Sequence, residues 1–222
     1  MPPHKARYGE ACDYLEREIR KLGVDIHLNA AVTEVELDSR KPDAVILATG
    51  SVPFVPPIQG LSGGGAVLVD DVLEGRAPVG RRVAIIGGGA IGAETAHLLV
   101  EEEDREVYLI EMRDGIAVDL PQDARICLLH AFEQTPSLHQ ITNAKVTAVT
   151  PESITLERQG QTEVVDRLDT IILAVGARPN QGLRPALEAL GIPFLVSGDA
   201  TGPKDYVKAI YEGFVAGNTI AE

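Results

Sequence analysis

The chain is poor in the residues that build cross-links. Among 222 residues it has no tryptophan and two cysteines. Cys12 and Cys127 stand far apart with no close Cys or His, so neither a disulfide framework nor a zinc site is indicated, and the lack of a CxxC pair removes dithiol redox chemistry. A reducing compartment fits. Basic residues are also scarce: 20 Lys and Arg against 33 Asp and Glu leave a formal net charge of -13. That balance argues against nucleic acid and anionic membrane as partners, since both are recruited by basic surfaces. An anionic ligand would have to be held by oriented amides and local dipoles instead. No apolar run reaches the ~18 residues needed to span a bilayer, and the opening Met1 to Lys5 lacks the apolar segment of a signal peptide. The expectation is a soluble, cytoplasmic protein.

What the chain does have is glycine placed to a purpose. The apolar run Val83 to Ile86 feeds into Gly87-Gly88-Gly89-Ala90-Ile91-Gly92, a helix-forming run follows from Ala93 to Glu102, and a second apolar run, Val107 to Ile110, closes on Glu111. This order predicts a βαβ unit with glycines at the first, third and sixth positions of its turn. Gly87 would allow the sharp turn, Gly89 the close approach of amides to a pyrophosphate, and Gly92 tight packing of helix on strand. The diphosphate would rest on the unpaired amides and positive dipole end of the helix. Glu111 lies 19 residues after Gly92, where a carboxylate accepts hydrogen bonds from a ribose diol and repels a 2'-phosphate. NAD is therefore expected over NADP, with Arg113 as the counter-argument because a guanidinium could pair with that phosphate.

Taken in order, the chain predicts a helix over 9–22 and a strand over 24–28 with His27 on its polar face. Val32, Val35 and Leu37 then alternate, and a buried parallel-type strand follows over 43–50. Pro53, Pro56, Pro57, Gly60 and Gly63 to Gly65 mark a crossing between domains. The acids from Glu101 to Asp104 read as a solvated helix end. Pro121 opens a further helix, and segments 145–149, 153–157 and 163–165 suggest an antiparallel meander. His130 and His139 have no ligand partners at usable spacing and are expected to be structural. Phe194 to Ala200 reads as a strand ending in Asp199, and 206–221 as a last helix.

An internal repeat links these parts. Asp43 to Pro53 and Asp169 to Pro179 match at Asp, Ile, Leu, Ala, Gly and Pro in the same order, 126 positions apart. The second copy has the glycine turn 82 positions ahead of Asp169, and the same offset from Asp43 falls before Met1. The expectation is a chain that begins inside the first of two similar units.

The combination of LATGSVP, IIGGGAIGAETA, ILAVGARPN and VSGDA followed by AIYEGFVAG resembles the two-dinucleotide-binding-domain flavoproteins. More narrowly, it is similar to the C-terminal half of the NADH:flavin oxidoreductases related to old yellow enzyme, of the 2,4-dienoyl-CoA reductase and trimethylamine dehydrogenase type. The segment Asp70 to Gly75 and the helix from Tyr14 to Gly23 strengthen that match. The resemblance implies an α/β protein of two Rossmann-like, three-layer ββα units, the first incomplete. Residues 1–74 and 194–222 would form a partial FAD-binding unit with 75–193 inserted as the NAD(P)-binding unit.

By the same resemblance, Gly87, Gly88, Gly89, Ala90, Ile91, Gly92, Glu111 and Arg113 would face NAD. Glu94 and Gly176 would lie toward the nicotinamide end, and Gly50 and Asp199 would face FAD. The implied activity is hydride transfer from nicotinamide to FAD within a larger protein. Its missing FAD-fingerprint segment and FMN/iron-sulfur barrel would be the partners. No catalytic side chain and no metal ligand is expected here, a homo-oligomer is compatible with the reading, and the fragment alone is expected to be inactive. The rival reading is a non-catalytic module holding ADP or another nucleotide.

Overall fold

A computed structural model of the chain describes residues 7–101 and 104–220. The opening Met1 to Lys5, the acids Glu102 and Glu103, and Ala221 lie outside the described residues. In chain order the elements are α1 (Arg7–Lys21), α2 (Glu34–Arg40), β1 (Val45–Leu47), β2 (Ser51–Pro53), β3 (Val67–Leu68), α3 (Val69–Leu73) and β4 (Arg82–Ile86). They continue with α4 (Ala90–Glu101), β5 (Glu106–Ile110), α5 (Gln122–Glu133), β6 (Leu138–Ile141), β7 (Ala144–Thr150), β8 (Ser153–Arg158) and β9 (Gln161–Val165). The last are β10 (Thr170–Leu173), β11 (Ala177–Pro179), α6 (Arg184–Leu190), β12 (Phe194–Val196) and α7 (Tyr206–Ile220). The chain divides into two compact units, one holding the segment up to Tyr14 and Val55–Gly176, the other Leu15–Phe54 and Ala177–Glu222.

In the unit that contains Val55–Gly176, five parallel strands run in the order β3-β10-β4-β5-β6. Their continuous apolar runs are explained by cover on both faces. Side chains alternate between two cores, as a period of two requires. Val83, Ile85, Val107, Leu109 and Ile172 meet Ala93, Ala96 and Leu99 of α4 and Phe132 of α5. Ala84, Ile86, Ile110, Ile171 and Leu173 meet Val146, Ile154 and Leu156 of the antiparallel β7-β8-β9 meander. The result is a three-layer ββα sandwich whose two cores are separated by a single sheet.

The other unit is built on the parallel pair β1-β12 with α2, α6 and α7. The tails of the two repeat copies pair here as an antiparallel ribbon: Ser51 faces Pro179, Val52 faces Arg178 and Pro53 faces Ala177. Val52 and Arg178 are repeat equivalents, so the ribbon has a local two-fold axis through them. The ribbon is fixed by Asn180, whose amide donates to the Gly50 carbonyl at 2.9 Å and whose own carbonyl accepts the Thr49 hydroxyl. Arg178 stacks over Phe54 at 3.9 Å.

Several expectations need correction. Residues 24–28 form no strand among the described residues; their alternation has no ladder to join, and Val24 and Leu28 are exposed. Alternation at Val32, Val35 and Leu37 belongs to the start of a helix, α2, which a capping box fixes. Thr33 Oγ1 accepts the Glu36 amide and the Glu36 carboxylate accepts the Thr33 amide at 3.0 Å. β3, α3 and β6 were not foreseen. The first-copy strand is buried only in part, with Leu47 2% exposed but Ile46 38%, because among the described residues β1 has β12 as its one strand neighbour.

Candidate nucleotide-binding site

The glycine turn leaves the carboxyl end of β4 where strand order reverses, since β5 and β6 lie on one side of β4 and β10 and β3 on the other. Open α/β sheets bind ligands at such a switch point. Gly87 has φ of 106°, a left-handed turn that L side chains resist, and a methyl group on it would overlap the Ala174 carbonyl of the neighbouring strand end. Gly92 is needed for closeness: a methyl there would overlap the Gly87 carbonyl and come within 3.3 Å of Ala174 Cβ. The loop is thus drawn against both the helix and β10, and α4 starts directly over it.

Within the loop the backbone donors can be accounted for one by one. Gly87 N–H donates to the Ile110 carbonyl at 2.8 Å, Gly88 N–H to Glu111 Oε2 at 2.7 Å, and Ala90 N–H to Asp119 Oδ1 at 2.8 Å. Among the described residues the amides of Gly89, Ile91 and Gly92 have no recorded acceptor. Those are first-turn donors of α4, the groups that an incoming anion satisfies. A dinucleotide diphosphate therefore fits the loop.

Glu111, expected to present its carboxylate to a ribose, is 6% exposed. Besides Gly88, it accepts the Arg113 amide at 2.8 Å and Arg113 Nε at 3.1 Å. Burial pushes its carboxyl upward, but the hydrogen bonds from Arg113 and Gly88 outweigh it and hold the group below the usual carboxylate value. Glu111 therefore organises the loop as well as bordering it. Arg113, with its side chain about half exposed, lies at the same rim. Glu94 sits half-buried on α4, and Gly176 follows β10.

Two of the expected residues are in the other unit. Gly50 follows β1 and, like its repeat equivalent Gly176, is left-handed, with φ of 69° against 92°. Asp199 lies half-buried in a single 3₁₀ turn, Gly198–Ala200, directly after β12. Glu212 of α7 holds that turn by accepting the Gly198 amide at 2.8 Å and the Thr201 hydroxyl at 2.9 Å, with Lys208 Nζ 3.3 Å away. The partial burial that raises its carboxyl pKa is outweighed by Thr201, Lys208 and Gly198, which hold it low.

Sequence reasoning missed Glu212 and Asp119. Glu212 lay in view within the AIYEGFVAG motif; Asp119 had no sequence signal. At the opposite, amino edge of the sheet a cleft of about 700 Å³ is lined by Arg81, Arg82, Arg105, Glu106 and Asp169. Its charges are engaged internally: Asp169 caps the Arg81 and Arg82 amides, and Arg82 pairs with Glu106 at 3.0 Å. The described residues hold no metal-competent cluster and no helix long and apolar enough to cross a membrane.

A parallel sheet with this loop at its switch point is the architecture of the Rossmann-like α/β proteins. Residues 38–201 match the model of the pyridine nucleotide-disulphide oxidoreductase family, and the chain belongs to that family. Bilirubin reductase of Mediterraneibacter gnavus is 34% identical over 221 residues, which cover 99% of this chain and 34% of that protein. NADH oxidase of Thermoanaerobacter brockii is 31% identical over 218 residues, covering 96% and 33%. Among solved structures, 2-naphthoyl-CoA reductase in complex with 2-naphthoyl-CoA superposes with a TM-score of 0.87 at 25% identity, over 97% of this chain and 33% of that one. The chain spans about a third of the length of these relatives.

Proposed function

We propose that the chain is the nucleotide-binding module of an NAD(P)H:flavin oxidoreductase, with NAD preferred. The observation that carries this is the set of amides at Gly89, Ile91 and Gly92 that have no acceptor among the described residues, on a switch-point loop whose Gly87 and Gly92 leave no room for a side chain. Residues 75–193 hold the pyridine nucleotide, and 1–74 with 194–222 contribute to the flavin side. Gly87 to Gly92 cradle the diphosphate, while Glu111 and Arg113 border the adenosine ribose. Glu94 and Gly176 lie toward the nicotinamide, and Gly50 and Asp199 serve FAD.

When bound, nicotinamide and flavin supply the hydride chemistry; the chain's own residues bind, orient and set the local field. No side chain of this chain is assigned as nucleophile or general base. The relatives support a reductase of larger size, in which the electrons move on to a further acceptor.

Calorimetric titration of the chain with NADH, NADPH and FAD tests the reading. We expect saturable NADH binding, weaker NADPH binding, and weak FAD binding. Absence of NADH binding would overturn the proposal. In the whole protein NADH should bleach the flavin; NADH binding without bleaching would instead support a nucleotide-holding module that does no chemistry.

A further inference from the structure

The Ala90 amide is one of the donors a diphosphate would take, yet in this structure a carboxylate already holds it. Asp119 Oδ1 accepts Ala90 N–H at 2.8 Å, and Asp119 Oδ2 lies 3.2 Å from the point where a Cβ on Gly89 would stand. Both carboxylate oxygens therefore rest against the start of α4, where the helix dipole favours negative charge.

The segment that delivers Asp119 is built to do so. Ala117 N–H donates to the Gly88 carbonyl at 2.7 Å, and Ala117 adopts φ of 51°, a left-handed conformation unusual for a residue with a side chain. Ile116, 3% exposed, packs where Gly88 lacks a side chain, its Cδ1 2.6 Å from the position a Cβ would take. Arg125 Nε holds the Ile116 carbonyl at 2.8 Å. Residues 116 and 117 are buried and pinned, whereas Asp119 itself is exposed. Its side chain can leave the amide by rotation alone, without moving the segment.

We infer that Asp119 is an internal competitor for the diphosphate group: it caps Ala90 in the free chain and is displaced when a nucleoside diphosphate or dinucleotide binds. The inference rests on the nucleotide-binding reading of the loop. Asp119 lowers affinity twice over, by occupying a donor and by setting a negative charge beside an anion. It makes affinity depend on the diphosphate group and leaves an uncharged nucleoside indifferent.

The test compares wild type with Asp119→Ala and Asp119→Asn, using NADH, ADP and adenosine as probes in calorimetry. Amide hydrogen exchange at Ala90 is followed by NMR in the same samples. Asp119→Ala should bind NADH and ADP about tenfold more tightly, a change of the size of one exchanged charge-assisted hydrogen bond, with adenosine unchanged. Asp119→Asn keeps an acceptor and loses the charge, so it should fall between. In the free chain, Ala90 should lose exchange protection in Asp119→Ala and regain it on adding ADP.

Wild-type binding of NADH with no gain in Asp119→Ala, or with weaker binding, would overturn the inference while leaving the nucleotide-binding reading intact. If neither protein binds NADH or ADP, the nucleotide-binding reading falls and the inference with it. Unchanged Ala90 exchange in a variant with native circular dichroism would show that the capping contact does not hold in solution.

Discussion

The Gly88 amide donates to Glu111 Oε2 at 2.7 Å, so the end of one strand is tied to the loop that ends its neighbour. The tie is charge-assisted, buried and shared with Arg113, which makes it pH-dependent. Folding holds the Glu111 carboxyl below its ordinary value of 4.5, and Glu106 is held low as well. The unfolded chain therefore binds protons more readily than the folded one in acid. Stability from these groups is complete above the ordinary carboxylate range and is lost as pH falls through their lower folded values. Urea midpoints should drop from about pH 5 downward, and Glu111→Gln should show a shallower drop over the same window. Equal slopes in the two proteins would rule out Glu111 as a source of the effect.

The same carboxylate bears on cofactor choice. A 2'-phosphate would stand beside a buried negative charge already committed to three donors, and like charges in contact cost several kcal/mol. NADH should bind at least about tenfold more tightly than NADPH, and Glu111→Gln should narrow that gap chiefly by improving NADPH. Parallel titrations read both values. Tighter NADPH binding by the wild type would mean that Arg113, not Glu111, dominates the rim.

Gly92 and Gly217 both lie within helices but should answer a methyl group in opposite ways. At Gly92 the methyl overlaps the Gly87 carbonyl, so Gly92→Ala should lower stability by about 1–3 kcal/mol and weaken NADH binding by distorting the loop. At Gly217, in α7, the added methyl meets nothing within 4 Å, and Gly217→Ala should raise stability by about 0.5–1 kcal/mol. Chemical denaturation of the two variants decides the matter. A neutral Gly92→Ala would mean that the close approach of helix and loop does not limit stability.

The central sheet was legible because strands buried on both faces must be apolar throughout, as 83–86, 107–110 and 171–173 are. The repeat carried further than composition could: it aligned Gly50 with Gly176, and both adopt left-handed turns. Local signals failed where a partner decided the outcome. The alternation in 24–28 looks like a strand, but a strand needs a neighbour. Thr33 and Glu36 spelled out a helix start that the alternation of Val32 and Val35 obscured. β6, with His139 and Gln140 in a four-residue run, becomes a strand only because β5 offers it an edge. Asp119 was invisible for a deeper reason. Its position depends on a left-handed Ala117 and on Ile116 filling the space over Gly88, which are products of tertiary packing.

Tyr108 allows the two ends of the sheet to be separated by experiment. Its hydroxyl donates to Glu106 Oε1 at 2.6 Å and accepts from Arg82 Nη2 at 2.7 Å, while its ring stacks on His139 with centroids 4.6 Å apart. His139 Nε2 reaches the same Glu106 oxygen at 3.1 Å. Burial, then the hydrogen bond to Glu106, pushes the Tyr108 hydroxyl above its ordinary value, and the Tyr108 hydrogen bond is the largest influence holding Glu106 low. Tyr108→Phe should therefore cost about 1–2 kcal/mol near neutral pH and flatten the acid limb of the stability profile. Arg82 and Glu106 open their strands, whereas the glycine turn lies at the strands' carboxyl ends, so NADH affinity should not change. A loss of NADH binding comparable to that of Gly92→Ala would show that the two ends of the sheet are coupled, and that the loop's geometry depends on charges at the far edge.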